Sequence, residues 1–220
     1  AFLEEIKKEE IIQGMEEVRA GYALFLVCDE EKPAYILNIE NMGGEKAELV
    51  GRLGAKQMER LIRAYKEKID KNRFLQNLLL DNMLLVDVYN QAKKLHIEND
   101  QKRIVFLVEA KSKDNQMLLE TMKGMYASGM KDFVTAVDES SVILVKALEE
   151  TDGYREVYES AKSIADTVSA EAMVNIRVSY GTIIHELKDV SKSYKEAGMA
   201  LDVGRIFYPG HNILAYNELG

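Results

Sequence analysis

The sequence predicts an α/β (α+β) chain in which a mixed sheet with flanking helices follows a helical connector and a small segment containing a β-hairpin. Three observations carry this reading. From Lys102 onward the spacing of apolar residues switches repeatedly between the strand and helix periods. No proline interrupts the helical spacing from Glu45 to beyond Leu95. Near the N-terminus, two β-rich runs flank a polar stretch that contains Pro33.

The stretch from Ala1 to about Arg19 is amphipathic and reads as a helix. Gly21 then opens the run Tyr22 to Val27, and a second run, Ala34 to Ile39, follows the turn. Two strands alone are marginal in water, so the hairpin is expected to edge a larger sheet or to pack on its neighbours. After Gly43-Gly44, the residues Met58, Leu61, Ile62, Tyr65 and Ile69 recur at three and four residues and make one apolar stripe. Phe74, Leu75, Leu78 and Leu79 continue it. A single helix of about thirty residues would be some 45 Å long at about 1.5 Å per residue, a length suited to a signal-carrying linker or a dimer seam. Two ordinary helices, broken near Asp70 or Asp81-Asn82, satisfy the same pattern. A shorter helix runs from roughly Asp87 to Leu95.

Ile104 to Val108 is continuously apolar, as a strand covered on both faces requires. Leu118, Met122 and Met125 mark a helix. Phe133 to Val137 and Val142 to Val145 are strands around the turn Asp138-Glu139-Ser140-Ser141. The clearest helical stripe runs from Tyr154 through Val157, Ala161 and Ile164 to Val168. Val174, Ile176, Val178 and Tyr180 alternate with polar residues and predict a strand with one apolar face. The next helix begins near Asp189 or at Ser193, where Ser193-x-x-Glu196 has the spacing of a capping box. Ile213 to Tyr216 is the last strand, so the order from Lys102 is β-α-β-β-α-β-α-β.

Charge narrows the function classes. The net charge is −8 and the sequence pI near 5.1. Autonomous DNA binding favours a basic face, whereas here Lys and Arg alternate with Asp and Glu. The mixed run Lys56 to Arg73 reads as the solvated face of a helix. No membrane-length apolar segment and no secretion signal is seen, and the single cysteine, Cys28, reads as a small buried hydrophobe in a reducing cytoplasm. The expected location is cytoplasmic, with no membrane partner.

Catalytic and cofactor signatures are few. None of His96, His185 and His211 lies three or four residues from another His or Cys, so there is no zinc signature, and no nucleophile elbow or phosphate loop occurs. Gly51-x-x-Gly54 lies inside helical spacing with no clean strand before it. Met117, Met122 and Met125 read as core filler. No metal and no cofactor is expected. One constellation carries chemistry: Glu109 ends the first strand of the sheet, and Asp138 and Glu139 lie in the hairpin. Neighbouring strands would bring the three carboxylates together, where a hard cation would suit them. Solvated turn residues are the plainer reading.

Asp70 to Leu79, then Gln91 to Ile97, then the strand Arg103 to Val108 resemble the central region of CdaR/PucR-type (sugar diacid utilisation) transcriptional regulators. Val178-Ser179-Tyr180-Gly181, Ser193-Tyr194-Lys195-Glu196-Ala197 and Ala215 to Gly220 match the same family's pattern, so the resemblance covers about Ala47 to the end. It implies a bacterial regulator with an N-terminal sensing region, a central domain similar to the GGDEF nucleotide-cyclase fold and a C-terminal helix-turn-helix. Read this way, residues 1–44 are a partial sensor segment, 45–100 a helical connector and 101–220 the GGDEF-like regulatory domain. The expected role is signal transmission and dimerisation. A small polar metabolite is the implied effector, and the connector stripe Met58, Leu61, Tyr65 and Ile69 is the expected seam of a homodimer. DNA contact falls to the helix-turn-helix, which is expected beyond Gly220. The alternatives are a nucleotide cyclase making a cyclic dinucleotide and a ligand-free dimerisation module. Against the cyclase, the resemblance places Ala136 and Val137 where active domains carry paired glycines, Ser140 where they carry Phe, and Glu109 where they carry a metal-binding Asp. The expectation is a degenerate site at Glu109, Asp138 and Glu139, and no enzyme activity.

Overall fold

The computed structural model describes residues 17–19, 22–30, 32–40, 44–110, 115–126, 131–138, 141–172 and 175–219. These fall into two compact units, Ala1–Asp70 and Lys71–Gly220. The amphipathic stretch at Ala1 lies outside the described residues up to residue 16; its end, Glu17–Arg19, is a strand rather than a helix.

The first unit holds an antiparallel meander, β1 (Glu17–Arg19), β2 (Tyr22–Asp29) and β3 (Lys32–Glu40), with β2 in the middle. The predicted hairpin is therefore part of a small sheet. Helix α1 (Gly44–Leu79) lends this unit its residues up to Asp70. Phe25 and Val27 from β2 pack on Ala47 and Ala55, with Leu37, Ile39 and Ile62 around them. Gly51 and Gly54 are explained by this contact. A Cβ on Gly51 would lie 1.8 Å from the Phe25 ring, and one on Gly54 would lie 3.0 Å from Leu37. Cys28 is half-buried rather than buried, and its backbone N–H donates to Glu59 Oε1 at 2.8 Å.

α1 is unbroken at Asp70 and ends at Leu79, so the break falls at the second of the two predicted places. Asp81 adopts φ 61°, the Asn82 N–H donates to the Asn77 carbonyl, and the Asp81 N–H donates to that of Leu78. This is the Schellman closure, which satisfies carbonyls that a helix end would otherwise leave bare. α2 (Leu85–Lys94) closes the same way: His96 has φ 55° and Ile97 donates to the Ala92 carbonyl.

The second unit is built on a mixed sheet of order β5-β6-β4-β7-β8. Its strands are β4 (Arg103–Ala110), β5 (Phe133–Thr135), β6 (Ser141–Ala147), β7 (Ile176–Tyr180) and β8 (Ile213–Ala215). All neighbours are antiparallel except β7 and β8. Helices α3 (Asn115–Tyr126), α4 (Tyr154–Ala172) and α5 (Val190–Phe207) complete the predicted β-α-β-β-α-β-α-β order. β4 is central and buried on both faces, which is why Ile104 to Val108 is apolar throughout. Val105 and Leu107 face a first core with α2, α5 and the end of α1, from Phe74 to Leu79. Ile104, Phe106 and Val108 face a second core with α3 and α4. The core of this unit thus reaches back to Phe74, well before β4.

α5 starts at Val190, behind a 3-10 turn at Leu187–Asp189, and Ser193 with Glu196 does not cap it. Both side chains are buried and serve the sheet instead. β4 and β7 pair up to Phe106↔Tyr180, and pairing resumes only at the bridge Arg103↔Ile184. In the gap, Ser193 Oγ accepts from the Val105 N–H at 3.2 Å and donates to the Thr182 carbonyl at 2.8 Å. Glu196 Oε2 accepts from the Thr182 N–H at 2.9 Å and from its hydroxyl at 2.5 Å. The hydroxyl replaces a missing rung of the ladder, so no backbone donor is orphaned.

Candidate functional site

The β-sheet brings two of the three predicted carboxylates to one end of the first face. Glu109 is near the end of β4, directly opposite Ser141 of β6. Asp138, in the β5–β6 turn, accepts from the Ser141 N–H at 2.9 Å and from its hydroxyl at 3.0 Å. Such a local bond is the usual reason for an Asp at a turn. Glu139 lies outside the described residues.

The residue that sequence reasoning missed is Arg205, on the last turn of α5. Its guanidinium donates to both oxygens of Glu109, from Nη2 to Oε1 and from Nε to Oε2 at 3.3 Å, and from Nη1 to Asp202 at 3.1 Å. The Glu109 carboxylate raises the pKa of Arg205; partial burial opposes this, and the charges of Asp202 and Asp138 add to it. The Glu109 side chain is 15% exposed. A forked guanidinium on a nearly buried carboxylate is geometrically specific and supplies the positive charge that a bound cation would otherwise bring. Burial, and then the charge of Asp138, push up the pKa of the half-buried Tyr194 on α5.

Ala136 and Val137 are half-buried, and Val137 packs on the first core. The Ala136 carbonyl accepts from the Gln76 side chain at 2.7 Å. The β5–β6 turn is therefore held by α1 and filled by an apolar side chain at the predicted glycine positions. Among the described residues, no group of three His, Cys, Asp or Glu side chains is placed to hold a metal ion. Elsewhere in this unit, a shallow cavity of about 240 Å³ is lined by Leu78, Met83, Leu85 and Val88, with Asp81 and Lys188 among its polar residues.

In the first unit, Met58, Leu61, Tyr65 and Ile69 are exposed, whereas Ile62 turns to the small sheet. No described helix is long and apolar enough to cross a membrane.

The GGDEF-like domain family matches residues 82–203. None of the curated proteins matches the chain. The match takes in α2, β4 with its Glu109, the Asp138 turn, β7 and most of α5. It spans more than half of the chain, which therefore belongs to the GGDEF-like domain family.

Proposed function

We propose that this chain is the signal-transmitting and dimerising region of a cytoplasmic bacterial transcriptional regulator of the CdaR/PucR type, and that its GGDEF-like domain is not a cyclase. The observation that carries this reading is Arg205 on Glu109. Phosphoryl transfer depends on positioned cations and substrate. Here the strand-end carboxylate is engaged by an arginine, and Val137 packs where the nucleotide loop would need bare backbone. The assay incubates the purified protein with GTP or ATP and Mg²⁺ or Mn²⁺. No cyclic product is expected; turnover that disappears in Asp138→Ala/Glu139→Ala would establish a cyclase instead.

The regulator responds, in this reading, to a small polar metabolite and has no DNA grip of its own. Sugar diacids, the namesake of the resembling family, are the first class to screen. A diacid is expected to raise the melting temperature. Failure of every diacid, alongside clear stabilisation by another class of metabolite, would reject that class of effector.

A further inference from the structure

We propose that Glu109 is a two-position switch, shared between Arg205 on α5 and Arg177 on β7. In the β4–β7 register Glu109 stands directly opposite Arg177. Ile176, Val178 and Tyr180 belong to the second core, as do Ile104, Phe106 and Val108, so alternation sets Arg177 and Glu109 together on the first face. Directly opposed side chains have Cβ atoms about 4.5–5.5 Å apart, so a rotation of the Glu109 side chain is enough to reach the Arg177 guanidinium. Yet Glu109 gives both oxygens to Arg205, while Nε of Arg177 is buried with no hydrogen-bond partner. A buried donor without an acceptor is uncommon and costly. Here a matching acceptor lies one strand away and is already engaged.

Two arginines thus compete for one carboxylate that is too buried to go unpaired. In the observed position, the ion pair ties the last turn of α5 to the end of the sheet. In the other, Arg177 gains its acceptor, Arg205 keeps Asp202 and turns to solvent, and the last turn of α5 is released. That turn carries Ile206 and Phe207, 71% and 69% exposed, so the switch sets how this apolar helix end is presented. Exchanging one ion-pair partner for another is a common basis of two-state elements.

A double-mutant cycle on the full chain tests it, read by thermal unfolding and by amide exchange of residues 203–207. Arg205→Ala is expected to fold, because Arg177 takes over Glu109, and to speed exchange in the last turn of α5 by roughly tenfold, as loss of one charge-assisted contact implies. Arg177→Ala is expected to leave that exchange unchanged. The double variant should lose more melting temperature than the two single losses together, because Glu109 then has neither partner. Adding Glu109→Gln should cancel the excess. If the double variant does not fold, Glu109→Gln must restore folding. Additive losses overturn the proposal, as does equal acceleration in Arg177→Ala, an unfolded Arg205→Ala chain, or failure of Glu109→Gln to cancel the excess or restore the fold.

Discussion

Gly181→Ala is expected to destabilise the second unit by about 3–5 kcal/mol, above the roughly 1–3 kcal/mol usual for overpacking and close to what single substitutions rarely exceed. A Cβ on Gly181 would lie 2.0 Å from the Ser193 carbonyl oxygen and 2.7 Å from Ser193 Oγ. The obstacle is backbone, so no change of rotamer relieves it. The start of α5 must move away from the sheet, which breaks the bonds from Ser193 to Val105 and Thr182. Val105 is fully buried, so its N–H would lose its only substitute for a strand partner. With about 2–4 °C per kcal/mol for a unit of this size, the melting temperature should fall by roughly 10 °C. Gly198→Ala is the control. It lies in the same helix with nothing within 4 Å of the added carbon, and it should be neutral or stabilising by up to about 1 kcal/mol. Ser193→Ala removes the rung without the collision and should cost about 1–3 kcal/mol. Thermal unfolding of the three variants decides the matter. A Gly181→Ala melting temperature within about 2 °C of the parent's would refute the clamp.

The same clamp marks how far the sequence was legible. The strands and helices of the second unit could be read because each carries a strong local period, and an apolar strand such as Ile104 to Val108 has few other places to go. What the period cannot show is the partner of a polar residue. Ser193-x-x-Glu196 has the spacing of a capping box, yet a strand ladder 88 residues away in sequence needed the hydroxyl more. Arg205 reads locally as an exposed partner of Asp202, three residues earlier. Its second partner, Glu109, held through both carboxylate oxygens, is 96 residues away. Arg103, 2% exposed at the start of β4, is likewise held by the carbonyls of Gln101 and Glu98, which no pattern announces. Burial lowers its pKa to about 10. The end of α1 was left open between Asp70 and Asp81-Asn82 for a different reason. Asp81, like His96 after α2, takes the left-handed conformation that glycine usually signals, so the usual stop residue is missing.

Tyr65→Glu is expected to convert a homodimer into a monomer while leaving the first unit folded. Along α1 the heptad positions a, d and a fall on Met58, Leu61 and Tyr65, which are 44%, 60% and 67% exposed. Glu59, Arg60, Arg63, Lys66, Glu67 and Asp70 all fall on the outer b, c and f positions, so the charge that would oppose pairing is kept off the seam. Lys68, at the next d position, limits the apolar seam to a short stretch. A short seam depends heavily on its largest side chain. Removing a central aromatic typically costs about 2–4 kcal/mol of binding, a weakening of roughly 30- to 700-fold. A carboxylate placed against its own symmetry mate adds repulsion. Light scattering at tens of micromolar should therefore give a dimer for the parent and a monomer for Tyr65→Glu, with both chains folded by circular dichroism and the parent alone showing a melting temperature that rises with protein concentration. Ile62→Glu supplies the contrast. Ile62 is half-buried against the small sheet, in the cluster of Phe25 and Val27, so a charge there should unfold the first unit rather than merely separate protomers. A monomeric parent would dismiss the dimer. A dimer that survives Tyr65→Glu would move its interface off this stripe.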